Sequence, residues 1–294
     1  MRNNSESQNL SSGIGIIPTR LSISRHFMHR LTEMVIVIKG AGEMASAVAW
    51  RLYMANFKKI LMLETAHPLA VRRKVSFCEA LHDGSQSVEG VKAIMAGAIG
   101  SIHTAWEQGR IVVAADPKWL LLQQVRPEVV VDAILAKKNL GTRMTDADLV
   151  IGLGPGFTAC QDVHMVIETN RGHDLGRILT NGSAQANTSV PGAIAGYTRE
   201  RVLRSPATGH FQTTRSIGDL VKSEEIIGTV AGQKITSRID GVLRGLIRSE
   251  TKVTSGLKIG DVDPRGQKQF CYTISEKARA IGGSVLEAVL REFN

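Results

Sequence analysis

Aromatic side chains are scarce, 4 % of 294 residues. A core must therefore be filled by aliphatic side chains. No basic run is interleaved with aromatics, which excludes the usual single-strand nucleic-acid surface. Cysteine is scarcer still: Cys78, Cys160 and Cys271 lie far apart and form no CxxC pair. That spacing supports neither a zinc ribbon nor a disulfide framework, and it points to a reducing compartment. No apolar stretch reaches the ~20 residues that a membrane-spanning helix needs. The best run, Val91 to Gly100, is short and contains Lys92. The expectation is a soluble, cytoplasmic protein with no membrane and no nucleic-acid partner.

What the chain has in surplus is positive charge and glycine. Lys and Arg number 36 against 27 Asp and Glu, a net charge of +9, and there are 29 glycines. A positive surplus raises the local concentration of anions. The basic residues are scattered, with only short groups such as Arg72-Arg73-Lys74, so a small phosphorylated ligand fits better than a polyanion. The length allows two compact domains.

Residues 1–33 are rich in Ser and Asn and carry Arg2, Arg20, Arg25 and Arg30. They loosely suggest an organelle presequence. A strand opening directly after Met34 favours a flexible extension instead. Val35-Ile36-Val37-Ile38 is a β-branched run of the kind buried on both faces of a parallel sheet. Helical periodicity follows from Met44 to Ala55, then a second strand from Lys59 to Leu63 and further strands at 111–115, 129–132 and 149–152. Strands separated by helical stretches predict an α/β architecture with a mostly parallel, Rossmann-like sheet over 34–200.

Beyond residue 200 the sequence repeats with an offset of 32 residues, Ser205 aligning with Ser237, Gly209 with Gly241 and Phe211 with Leu243. Val221, Ile227 and Val230 align likewise with Val253, Ile259 and Val262. Two copies are too few for a solenoid. They predict a pseudo-twofold pair of interlocked small sheets over 201–264, a pattern that resembles the barrel-sandwich hybrid of biotinyl and lipoyl domains. Lys234 stands in Gly232-Gln-Lys-Ile rather than in a Met-Lys-Met turn, so carrier modification is not expected. The remainder, 265–294, predicts a C-terminal helix from the Ser275 N-cap, with an apolar stripe through Ile281, Val285 and Val289. Gly282-Gly283 weakens that helix unless it packs closely on another backbone.

Three groups of residues can carry chemistry. Gly40-Ala-Gly42-Glu-Met-Ala45 is a GxGxxA between strand and helix, with Glu64 closing the second strand 22 residues after Gly42. Such a turn admits phosphate oxygens to main-chain amides, and the acid suits a ribose hydroxyl. Gly152-Leu-Gly154-Pro-Gly156-Phe-Thr158 follows another strand; it is either an anion-binding nest or a rigid turn. Next comes a dense polar run of Cys160, Asp162, His164, Glu168, Asn170, Arg171, His173 and Asp174. As a strand it would place Asp162, His164 and Glu168 on one face, as metal ligands, acid/base groups or a solvated edge. Cys160 is a nucleophile, a sulfur carrier or an inert thiol, and Asp132 with Lys137 and Lys138 either lines the same crevice or is surface charge. NAD(P) or another nucleotide is the cofactor class implied at the first turn.

Several segments resemble those of the YqeB-type proteins, accessory factors of the selenium-dependent molybdenum hydroxylase system related to the XdhC group. They include His67-Pro-Leu-Ala-Val-Arg-Arg73, Glu168-Thr-Asn-Arg-Gly-His-Asp-Leu-Gly-Arg177, Gly241-Val-Leu-Arg-Gly-Leu246 and Gly256-Leu-Lys-Ile-Gly-Asp261. The resemblance covers residues 34–294. It implies a maturation factor that handles a nucleotide or the molybdenum cofactor and docks on a molybdenum hydroxylase, with its reaction undefined and a homo-oligomer left open. Cys160 departs from it, standing where a small residue, usually glycine, is expected. The rivals are an NAD(P)-dependent oxidoreductase and a non-catalytic scaffold.

Overall fold

The structure, a computed structural model, describes residue 1 and residues 31–187 and 191–294. The expected flexible extension falls largely outside them. The β-branched run after Met34 forms β1 (Val35–Lys39), followed by α1 (Glu43–Met54) and β2 (Lys59–Glu64). Then come α2 (Ala80–Asp83), β3 (Ser85–Val88), β4 (Val91–Met95), α3 (Ile99–Glu107) and β5 (Ile111–Ala115). The first half closes with α4 (Leu121–Val125), β6 (Val129–Asp132), β7 (Leu149–Leu153), β8 (Thr158–Ala159), β9 (Met165–Ile167), β10 (Ile178–Leu179) and β11 (Gly182–Ser183).

Nine of these strands form one sheet in the order β10-β9-β7-β6-β1-β2-β5-β4-β3. Pairings from β9 through to β4 are parallel, while β10 and β3 join antiparallel at the two edges. Strand alternation divides the core. Ile36 and Ile38 pack on one face with α1, whereas Val37 packs on the other with Ile102, Trp106 and Leu121 of α3 and α4.

A Rossmann-like parallel sheet followed by a barrel-sandwich hybrid is therefore corrected to a mixed sheet with a different winding. Helical crossovers, which a doubly wound fold requires, are missing from its second half. The β6–β7 connection holds only a single 3₁₀ turn, Met144–Asp146, and the β7–β9 connection holds only β8. The apolar run at Val91 belongs to a hairpin, β3–β4, turned at Glu89 and Gly90 with φ of 42° and 82°. Two successive positive φ angles match strand twist in such a turn.

The later chain adds β12 (Val202–Arg204), β13 (Gly209–Gln212), β14 (Leu220–Val221), β15 (Ile226–Val230), β16 (Gln233–Thr236), β17 (Gly241–Leu246), β18 (Lys252–Val253) and β19 (Lys258–Asp263). They make two four-stranded sheets, β12-β19-β17-β14 and β16-β15-β13-β18. The 32-residue offset reappears as hydrogen bonds: Ser205 Oγ donates to the Ala207 carbonyl at 2.6 Å, and Ser237 Oγ to the Ile239 carbonyl at 2.7 Å. Phe211 O accepts from Glu250 N, and Leu243 O from Gly218 N, so each copy closes a turn of the other.

This region is also joined to the large sheet. Leu246 N donates to Val71 O, and Arg73 Nε donates to Leu246 O. A Cβ on Gly245 would lie 2.7 Å from Val71 Cγ1, so glycine is what lets the 71–73 segment cross β17. The last helix, α5 (Glu276–Phe293), starts at the Ser275 cap and lies on α1. Its Gly282 sits against α1, where a Cβ would be 3.0 Å from Ala47 O; beside Gly283 there is open space.

Candidate functional site

In the order β6-β1-β2 the chain leaves β1 to one side and returns to its other side. In open α/β sheets, ligands bind at the carboxyl ends beside such a reversal. Gly40 follows β1 there with φ of 94°, a conformation suited to glycine, and a Cβ would be 3.2 Å from Ala133 O beyond β6. A cavity of about 960 Å³ opens over these strand ends. Gly40, Gly42, Glu64 and Pro155 line its sheet side.

The opposite wall is cationic. Arg72 comes from the loop after β2, Arg171 from the loop after β9, Arg201 from the turn before β12, Arg244 from β17, Lys258 from β19 and Lys277 from α5. Strand β17 shifts register between Leu243 and Gly245, and the irregularity turns Arg244 into the cavity. Asp261 organises this wall. It is buried at 1 % exposure, accepts from Arg244 Nε at 2.9 Å, pairs with Arg201 and lies 3.6 Å from Lys258. Burial alone would raise its carboxyl; the charges of Lys258, Arg244 and Arg201 instead hold it below the usual aspartate value. Glu43, in the first turn of α1, accepts from Arg72 at 3.2 Å and from Ser275 Oγ at 3.0 Å. The cavity thus has an acidic rim on the glycine side and a guanidinium wall facing it.

Two main-chain amides of the first glycine turn are already engaged, Gly40 N donating to Leu63 O, while Gly42, Glu43 and Met44 stay in the cavity lining. Ala41 N is taken by Glu64 Oε2 at 2.9 Å, and the other oxygen of Glu64 accepts from Thr65 N at 2.8 Å. The second turn is a packing device. Gly154 N donates to Ile167 O, and Thr158 N to Asp162 Oδ2 at 2.8 Å. Gly152 makes room for the Phe157 ring, Gly154 for Thr169 and Gly156 for the Lys138 backbone. Neither these glycines nor Thr158 line the cavity, and Ala45 is on the buried face of α1, in the core.

The polar run divides. Asn170 and Arg171 line the cavity. Glu168, 3 % exposed, lies beneath it, accepting from Asn170 N at 2.6 Å and Gln185 N at 2.7 Å and so bracing the loop that carries Arg171. The expected strand through Asp162 is only Met165–Ile167, so Asp162, His164 and Glu168 do not share one face. His164 Nδ1 accepts from Val150 N at 2.9 Å. His173 is exposed, and Asp174 pairs with Arg177 at 3.1 Å. Among the described residues no three His, Cys, Asp or Glu side chains are grouped to hold a metal. Cys160 has φ of 64°, left-handed backbone that favours glycine, and its Sγ faces Thr180 O. Asp132 points into a buried network with Thr142 and Lys39, away from the cavity.

Arg201, Arg244, Lys258, Asp261 and Lys277 were not legible as a site. They are far apart in the chain and form no motif. The signal available was indirect: segments around 244 and 258–261 belong to the stretches that resemble one family.

Fold and cavity together define an α/β protein with a mixed sheet and a basic cleft at the carboxyl ends of its parallel strands. The chain is 48 % identical over 262 residues to the uncharacterized protein YqeB of Escherichia coli (strain K12), covering 89 % of this chain and 48 % of that protein. Over those residues it is similar to that protein, and it spans about half the length of that curated relative. No family model matches. Among solved structures, TcdA (CsdL) aligns over 90 % of this chain and 91 % of its own at 12 % identity, with a TM-score of 0.30. An aspartoacylase family protein from Mesorhizobium loti aligns over 72 % and 58 % at 12 % identity, TM-score 0.24. The product-bound ectoine utilization protein EutE (DoeB) from Ruegeria pomeroyi aligns over 82 % and 61 % at 10 % identity, TM-score 0.22. At such scores neither fold nor function passes to this chain. No helix among the described residues is long and apolar enough to cross a membrane.

Proposed function

We propose that this chain is an accessory factor in the maturation of selenium-dependent molybdenum hydroxylases, and that its basic cleft binds a phosphorylated cofactor, a nucleotide or molybdopterin. The pathway rests on the family resemblance. The ligand class rests on one observation: Arg72, Arg171, Arg201, Arg244, Lys258 and Lys277 converge on a single cavity, and Asp261 is the shared counter-ion of Arg201, Arg244 and Lys258 alone. Guanidinium forks match phosphate oxygens in pairs and with charge assistance. The phosphate is assigned to this wall. At the glycine turn, Glu43 and Glu64 would repel it, and the Ala41 amide is engaged.

Mass spectrometry of the chain under native conditions, followed by calorimetric titration with ATP, CTP, NADPH and molybdopterin, tests the reading. One of these binds, and Arg171→Gln weakens it about 10- to 100-fold, the effect of losing one charged hydrogen-bonding group of ~1.5–3 kcal/mol. Absence of binding by all four, or equal affinity in the variant, rejects it. Glu64 at the cleft is the observation that favours the rival NAD(P)-dependent oxidoreductase, and hydride transfer followed by nicotinamide absorbance would establish that rival instead.

A further inference from the structure

Lys277 is the second residue of α5 and lines the cleft, half-buried. Among the described residues it has no hydrogen-bond or ion-pair partner, whereas Lys39, Lys59, Lys222 and Lys258 each have a carboxylate partner. The nearby carboxylates are engaged elsewhere: Glu43 with Arg72 and Ser275, Glu168 with two main-chain amides, and Glu276 with Arg171. An ammonium at this position also meets the partial positive charge of a helix N-terminus. Burial first, and then the Arg171 guanidinium, hold the group below the ordinary lysine value; Glu43 and Glu168 act in the opposite direction without cancelling the effect. A desolvated lysine beside a second cation is the setting in which a free amine becomes a nucleophile.

We propose that Lys277 is a nucleophilic amine of this cleft, and that the molecule it takes is an anionic aldehyde or ketone held by the arginine wall. The inference rests on the reading of the cleft as an anion site. In the reaction the Nζ lone pair forms a bond to the carbonyl carbon, and the carbonyl π pair moves to oxygen, which is protonated. The carbinolamine then loses water, formed from that oxygen and the two amine hydrogens, and leaves an imine. No oxidant, reductant or metal enters the balance.

The test uses the full chain and pyridoxal 5′-phosphate, an anionic aldehyde, at neutral pH with brief exposure, borohydride reduction and peptide mapping. Lys277 is labelled at least about tenfold faster than the exposed Lys118, a ~1.4 kcal/mol difference in barrier. Pyridoxal without its phosphate labels Lys277 more slowly, and Lys277→Arg loses this label while the other lysines react as before. Labelling no faster than at Lys118 overturns the proposal, even where the titrations above show ligand binding. Fast labelling that does not depend on the phosphate also overturns it, because the anion requirement then fails while the amine reacts.

Discussion

Gly156 has φ of 111°, and a Cβ would come within 2.6 Å of Lys138 N, a main-chain atom that cannot rotate aside. Gly156→Ala therefore combines backbone strain with a clash. We expect a loss of about 2–4 kcal/mol in denaturant unfolding, from ~1–3 kcal/mol for the conformation plus overpacking. A silent substitution would show that this turn is not held as described. Asp261 acts through charge. Asp261→Asn leaves Arg201 without its buried carboxylate and Arg244 with Asp263 alone, and breaking a buried pair costs about 3–5 kcal/mol. Its folded carboxyl lies below the unfolded value of ~3.9, so the unfolded chain takes up the proton first. The stabilisation is present above that pH and is lost as pH falls through the lower folded value. Urea midpoints measured from pH 6 down to pH 3 should fall more steeply for the natural chain than for Asp261→Asn.

At the level of elements, α5 shows which features are written locally and which are not. Its N-cap, its apolar stripe and its length follow from Ser275 onward, and the run Val35 to Ile38 likewise announces β1. The two adjacent glycines could not be told apart from sequence, because their difference lies in what stands opposite. Gly282→Leu should destabilise by about 1–3 kcal/mol through overpacking against Ala47 and Arg51. Gly283→Ala, facing open space, should stabilise by up to ~1 kcal/mol as helix propensity improves. Thermal unfolding of the two variants reads both signs, and equal signs would contradict the packing of α5 on α1. The polar run after β7 was misread for the complementary reason. Alternation between Asp162 and Glu168 looked like a strand, but the Cys160–Asp162 turn, closed by Thr158, takes the first residues out of it.

Across the whole molecule, the 32-residue repeat makes a quantitative statement. Ser205 and Ser237 are both buried and make the same hydrogen bond in their respective copies. Ser205→Ala and Ser237→Ala should each cost about 1 kcal/mol, and the double variant the sum of the two. Because β17 is sutured to the 71–73 segment, and Arg248 binds Glu79 at 2.6 Å, chemical unfolding should show one transition by fluorescence and circular dichroism alike. Two separated transitions would mean that these links are weak.

The amino-acid sequence by itself determined five strands of the large sheet (β1, β2, β5, β6 and β7), the turn at Gly40, the last helix, the repeat and the surplus of cations, since each depends on neighbours within a few residues or on a fixed offset. Only the tertiary structure decided that the crossovers after β6 lack helices, that Glu64 occupies an amide of the glycine turn, and that four arginines and two lysines from remote segments meet at one cleft, with Asp261 pairing Arg201, Arg244 and Lys258. Those are matters of distance between residues remote along the chain, set by how the sheets pack together, and no local pattern encodes them.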